Sequence, residues 1–249
     1  MEQKKVVGRK QTRESRMDLV ATTVHELKTP LTVISGLSAM LEAGQFGKLN
    51  SQQTKYINRI QTVSDRLLLL IESMLIVAKA QLTPLPPLEP VAVQNVIKEV
   101  VAELASRIEQ AKISVELPAS RSVEPVLAER YYLHQIIYNL LDNAIKYSPP
   151  KTTVTIKFRH QEGKLYLRIS DQGIGIQPNE LKYLYRRFGK VGQPIAAQAN
   201  SSGLGLYIVK RLVEAQGGSI RAKSLTQGTC FIISLPLAQQ LNLFKKPKG

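Results

Sequence analysis

From Met17 onward, apolar residues return at every third or fourth position (Met17, Val20, Val24, Leu27, Leu31, Ile34, Leu37, Leu41), the spacing that lines one side of an α-helix. A long helix over about Arg16 to Ala43 follows. The segment AGQFGKLN then breaks the pattern with two glycines and an Asn, as a turn between helices, and Ser51 is the expected N-cap of the next element. A second stripe (Ile57, Ile60, Val63, Leu67, Leu70, Met74, Val77) makes the pair an antiparallel hairpin. Two helices leave most of each stripe uncovered, whereas two hairpins packed as a four-helix bundle cover them, so a homodimer is the physical expectation.

The segment TPLPPLEP, residues 83–90, holds four prolines in eight positions and forbids a continuing helix. It reads as a linker. Beyond it the pattern turns to mixed α/β: a helix from about Val93 to Ala111, strands near Ile113–Leu117 and Pro125–Leu127, and a helix from about Tyr131 to Lys146. Strands at Thr153–Arg159 and Lys164–Ser170 follow, then a helix after Pro178, a helix over Leu204–Ala215, and strands at Ser219–Ser224 and Thr229–Leu235.

A length of 249 residues suits two modest domains, each with its own core. The longest apolar run, Leu67–Ile71, is far too short to cross a bilayer, and the charged N-terminus carries no apolar signal core, so the chain as given is expected to be soluble and cytoplasmic. The lone Cys230, in an apolar run, suits a buried thiol in a reducing compartment. Formal charge is +15, from 34 Lys and Arg against 19 Asp and Glu. Such a balance can mark a nucleic-acid or membrane-surface protein, but the cations are scattered, clustering only at the two tails (Lys4, Lys5, Arg9, Lys10; Lys245, Lys246, Lys248), which favours a basic surface that handles nucleotides and an acidic partner.

Four motifs carry candidate chemistry. In His25-Glu26-Leu27-Lys28-Thr29-Pro30, His25 lies beside Val24 at the edge of the stripe, where an imidazole reaches solvent and can act as a nucleophile. Glu26 is placed to bond a ring nitrogen and accept a proton, Thr29 one turn on could orient a water, and Pro30 is expected to bend the helix. Taken alone, His25 would be an idle surface residue; its neighbours argue otherwise. In Asn139-Leu140-Leu141-Asp142-Asn143-Ala144-Ile145-Lys146-Tyr147, two asparagines four apart suit a hydrated Mg²⁺ on phosphates, with Lys146 to neutralise phosphate charge.

Asp171-Gln172-Gly173-Ile174-Gly175 follows an apolar strand, where a carboxylate can accept from an adenine amino group while glycines admit the ligand closely. Ser202-Gly203-Leu204-Gly205 opens an amphipathic helix whose first turn offers a phosphate site, and the small, polar stretch before it, residues 189–201, is expected to form a lid.

The order H-E-L-K-T-P, N-L-L-D-N-A-I-K-Y, D-Q-G-I-G-I, Arg187-Phe188 and G-L-G-L resembles the H, N, G1, F and G2 boxes of sensor histidine kinases, over about residues 16–237. The resemblance implies an α+β chain: a dimerisation and histidine-phosphotransfer hairpin at 16–82 after a basic lead-in at 1–15, the linker, a Bergerat-type α/β sandwich binding ATP at 91–240, and a basic tail at 241–249. It implies His25 as phosphoacceptor, Glu26 as its acid/base neighbour and Thr29 as the residue of phosphatase action. Asn139 and Asn143 would serve Mg²⁺ and phosphates, and Asp171 would read adenine. Lys146, Tyr147, Gly173, Gly175, Arg187, Lys190, Ser202, Gly203, Leu204 and Gly205 would complete the pocket, with Thr229 near the base. Implied partners are a second copy and a response regulator, with a sensing module elsewhere or missing, and with no nucleic acid. Two departures stand out: Val24 precedes the histidine where the family often has Ser, and Ser201-Ser202-Gly203 replaces a frequent Gly-Thr-Gly. Rival readings are an ATPase or clamp sharing the nucleotide fold, which needs no acceptor histidine, and a degenerate dimeric scaffold. His134 and His160 match no motif and are expected to be surface or locally bonded.

Overall fold

A computed structural model describes residues 2–82, 87–118, 123–186 and 203–240. It divides into two units, residues 1–84 and 85–249. In the first, the two stripes become α1 (Glu2–Glu42) and α2 (Ser51–Leu82), packed on each other. Helix α1 begins at Glu2, not near Arg16, so the expected lead-in is helical, in keeping with its many Lys, Arg, Glu and Gln residues. The N-cap of α2 is Asn50 instead of Ser51. The Gln53 N–H donates to Asn50 Oδ1 at 2.8 Å and the Asn50 N–H donates to Gln53 Oε1 at 2.9 Å, a reciprocal box that satisfies two donors at once. The stripe on α1 also divides. Val24 and Ser38 are buried, while Leu27, Ile34 and Leu37 remain exposed.

In the second unit, β1 (Glu89–Val91) pairs antiparallel with β3 (Val126–Ala128). The expected linker therefore contributes a strand at its end. Pro90, opposite Leu127, is tolerated because a two-stranded ribbon has open edges where no N–H is needed; residues 83–86 lie outside the described residues. The helix expected over 93–111 breaks at Leu104 (φ −87°, ψ 2°) into α3 (Val93–Glu103) and α4 (Ala105–Ala111). Next come β2 (Ser114–Glu116), α5 (Arg130–Tyr147), β4 (Thr153–Gln161) and β5 (Lys164–Ser170), then α6 (Gly205–Ala215), β6 (Ser219–Ser224) and β7 (Thr229–Pro236). Where a helix was expected after Pro178, the described residues hold a 3₁₀ turn at Leu181–Tyr183.

The five-stranded sheet runs β2-β4-β5-β7-β6, with β2 parallel to β4 and the other pairs antiparallel. Alternation sends Leu165, Leu167 and Ile169 of β5, with Phe231, Ile233 and Leu235 of β7, to one face, where they are buried. Helix α5 lies between α3 and α6 and contributes Ile136, Ile137, Leu140 and Leu141 to the same core, giving an α/β sandwich as expected. Side chains of this size contribute about 1.5–3 kcal/mol each when fully buried. Glu129 caps α5, its carboxylate accepting from the N–H groups of Tyr131 (3.1 Å) and Tyr132 (2.7 Å). That cap fixes the start of the helix that carries Asn139 and Asn143. His134 is locally bonded, 3.2 Å from Glu103.

Candidate active site

On α1 the His25 imidazole is exposed, one position beyond buried Val24. Successive helical residues do not face one another, so Glu26 turns away from the ring. Among the described residues, the expected bond between Glu26 and a ring nitrogen is absent. Thr29 Oγ1 donates to the His25 backbone carbonyl at 3.2 Å, so the hydroxyl lies on its own helix, while its oxygen retains acceptor lone pairs. Helix α1 continues through Pro30, which has no N–H and so leaves the Glu26 carbonyl without a helical donor.

In the second unit, the carboxylate after β5 ties two distant segments together. Asp171 Oδ1 accepts from the Gly173 N–H at 2.9 Å and from the Thr229 N–H at 3.0 Å, while the Asp171 N–H donates to the Thr229 carbonyl at 2.9 Å. Only 6% of Asp171 is exposed. Burial pushes its pKa up, against the two amide donors that favour the ionised form. The approach is possible because residue 228 is glycine. Its φ is +86°, and a Cβ there would fall 2.0 Å from the Asp171 carbonyl oxygen.

Along α5, Asn139 Nδ2 donates to the Gln135 carbonyl at 2.8 Å, which leaves Oδ1 aimed at the first turn of α6. A Cβ on Gly205 would lie 2.8 Å from that oxygen, so glycine lets α6 start this close to Asn139, with Asn143 Nδ2 at 4.0 Å in ordinary contact range. At the end of α5, the Ile174 N–H donates to the Tyr147 carbonyl at 3.3 Å, joining the helix to the loop of Gly173 and Gly175. Lys146 Nζ stands 5.9 Å from the Tyr147 ring centroid. Asp171, Gly173, Gly175, Thr229, Asn139, Asn143, Tyr147, Leu204 and Gly205 thus belong to connected segments at one end of the sandwich. Arg187, Lys190 and Ser202, with the loop expected over 189–201, lie outside the described residues.

Two residues that the motifs do not single out also hold the site: Gly228, which must be glycine, and Gln172, whose Oε1 accepts the Thr153 N–H at 2.8 Å and braces the same loop on β4. A glycine just before an apolar strand was the available signal. Among the described residues, no cluster of three His, Cys, Asp or Glu side chains could hold a metal alone. The donor at hand is the amide oxygen of Asn139, which fits a hard cation that keeps waters and shares phosphate oxygens.

Comparison with known proteins bears on both units. Residues 15–83 match the His Kinase A (phospho-acceptor) domain, and residues 128–239 match the histidine kinase-, DNA gyrase B- and HSP90-like ATPase. The chain is 33% identical over 228 residues to the circadian input-output histidine kinase CikA of Synechococcus elongatus, covering 88% of this chain and 30% of that protein. Among solved structures it is similar to full-length ShkA in complex with AMPPNP (26% identical, TM-score 0.70, covering 89% of this chain and 46% of that one). It is also similar to the mycobacterial sensor histidine kinase MprB (31% identical, TM-score 0.50, covering 60% of this chain and 97% of that one). The chain spans about a third to a half of the length of CikA and the sensor protein RprX of Bacteroides fragilis.

Proposed function

The chain belongs to the sensor histidine kinases, and from that membership we propose that it moves the γ-phosphoryl group of ATP to His25 and then to an aspartate of a response regulator. The observation that carries this reading is the exposed imidazole of His25 on a packed helix, in one chain with the Asp171, Asn139 and Gly205 cradle. A ring nitrogen of His25 attacks the γ-phosphorus in line, the bond to the β-phosphate oxygen breaks, and ADP leaves. Glu26 takes up the ring proton through solvent or after a rotamer change, since it does not face the ring in this structure. The N–P bond then breaks as the aspartate oxygen attacks the same phosphorus.

In the cradle, Asp171 accepts from the adenine amino group, and Thr229 lies beside it. Asn139 and Asn143 would hold Mg²⁺, which would neutralise phosphate charge, and Lys146 would contribute a further cation. Tyr147, Gly173, Gly175, Gly203, Leu204 and Gly205 line the nucleotide, with Arg187, Lys190 and Ser202 closing over the phosphates. Thr29 serves the reverse task of removing phosphate from the regulator. Exposed Leu27, Ile34 and Leu37 on α1, with Ile60, Val63 and Leu67 on α2, support a homodimer whose four-helix bundle covers them.

The direct test is incubation of the purified chain with γ-labelled ATP and Mg²⁺. Acid-labile, base-stable label that disappears in His25→Gln is expected. Label that persists in His25→Gln overturns the acceptor. Nucleotide binding with no label at all returns the reading to an ATPase or scaffold.

A further inference from the structure

The cations that look scattered along the sequence are collected by strand pairing. Strands β4, β5, β6 and β7 contain six charged side chains, Lys157, Arg159, Lys164, Arg168, Arg221 and Lys223, and every one is basic. Alternation puts all six on the face opposite the buried residues Leu165, Leu167, Ile169, Ile233 and Leu235. The register aligns them. Lys157 is opposite Arg168, which is opposite Ile232, which is opposite Arg221, one row across four strands. Arg159 and Tyr166 begin the next row on one side, and Lys223 ends the row on the other. Lys164 adds a further row beyond Arg159, and with strands about 4.8 Å apart and same-face residues about 6.8 Å apart, the six charges occupy a patch roughly 15 Å by 20 Å.

None of the six is in an ion pair among the described residues. Arg168 instead lays its guanidinium over the sheet, Nη2 donating to the buried Cys230 Sγ at 3.9 Å, while the residue as a whole stays exposed. Two carboxylates border the face: Glu116 on the edge strand β2, which accepts from the Thr155 hydroxyl at 3.1 Å, and Glu162 in the β4–β5 turn, which accepts from Gln161 Nε2 at 3.3 Å. Repulsion among six unpaired cations works against the fold, and an external anionic surface would relieve it.

We propose that this sheet face docks on an anionic lipid surface. The chemistry favours lipid over the other polyanions. A protein partner needs apolar anchors in pockets, and this face offers only half-buried Ile232 and Tyr166. A nucleic acid needs several stacking aromatics or an element that enters a groove, and the face is a sheet with one tyrosine. A layer of phosphate headgroups needs neither, because it responds to charge density alone. The face is turned away from the nucleotide cradle, which lies on the helix side of the sheet. The sequence after β7, LNLFKKPKG, adds three lysines among apolar residues and is a rival source of the same attraction.

The test uses the full chain with vesicles of phosphatidylcholine, with and without phosphatidylglycerol, read by co-sedimentation. Binding to the phosphatidylglycerol vesicles alone, weakening as salt rises, is expected. Each cation near such a surface is worth about fivefold in partitioning, so the triple variant Lys157→Gln, Arg168→Gln, Arg221→Gln should bind roughly a hundredfold more weakly. Its autophosphorylation should be unchanged, which also shows that it folds. A second variant on the edge strand, Arg221→Gln with Lys223→Gln, should lose roughly 25-fold. The proposal is overturned if these variants keep full vesicle binding while Lys245, Lys246 and Lys248 to Gln abolishes it. Capture of the chain by a DNA duplex or by polyglutamate, with no partition to the vesicles, overturns it equally.

Discussion

Leu27, Ile34 and Leu37 on α1 are 42–52% exposed, whereas Ile136, Ile137 and Leu140 on α5 are at most 1% exposed. The hairpin, as a single copy, leaves apolar side chains in water, while the α/β unit encloses its own. The chemistry follows the same division. On the proposed function His25, which would meet two different partners in turn, is exposed on the hairpin, and Asp171, which would read one ligand, is buried in the α/β unit. A group that exchanges phosphate needs access; a group that discriminates needs a desolvated, fixed setting.

The sharpest way to separate the units is His25→Gln, which should abolish acid-labile label entirely while leaving ATP affinity, measured by calorimetry, unchanged. Next is the pair Leu27→Asp with Ile34→Asp. Two charges placed in a bundle seam should convert a dimer to a monomer in sedimentation velocity without altering the melting of the α/β unit. Within that unit, Asp171→Ala strands the amides of Gly173 and Thr229, each costing about 1–3 kcal/mol, and should weaken ATP binding by about 10–100-fold. Gly228→Ala, which has both a positive φ and a clash with backbone, should lower stability by about 2 kcal/mol or more in chemical denaturation, with the hairpin unaffected.

The smallest effect is in pH. Because burial raises the pKa of Asp171, its contribution to stability is fully present below its unfolded pKa and is lost as pH rises through the folded value. Nucleotide binding runs the other way. As pH falls through the raised pKa, the carboxylate gains a proton and ATP affinity should fall at a higher pH than an ordinary aspartate would allow. An Asp171→Asn titration should lack that inflection.

Much of this arrangement is legible in the residues because it is local. Helical periodicity marks α2, α5, α6 and the end of α1 within a few residues, and alternation marks β4 to β7, since both patterns are imposed by which side of an element is buried; the start of α1 lies outside its apolar stripe. What was not legible depends on contacts across the chain. Glu89 and Pro90 read as the end of the linker because the proline hides a strand whose partner is Val126–Ala128. The break at Leu104 leaves no Gly or Pro behind. Six cations appear scattered until the order β4-β5-β7-β6 aligns them. In the site, Asn139 and Asp171 stand out from their motifs, but the demand on Gly228 arises from a backbone oxygen 57 positions earlier, which no local pattern carries. Conversely, adjacency in sequence suggests a His25–Glu26 bond that is not formed among the described residues.

Asp171 Oδ1 has one further implication. Its carboxylate, which on the proposed function reads adenine, also fastens the loop after β5 to the start of β7, across 58 residues of sequence. On that proposal base preference and the integrity of the sheet end are carried by one residue, so a lineage cannot drift toward another nucleotide by changing this residue alone. It must first acquire surplus stability elsewhere, and purine choice in this unit should be among the slowest properties to evolve.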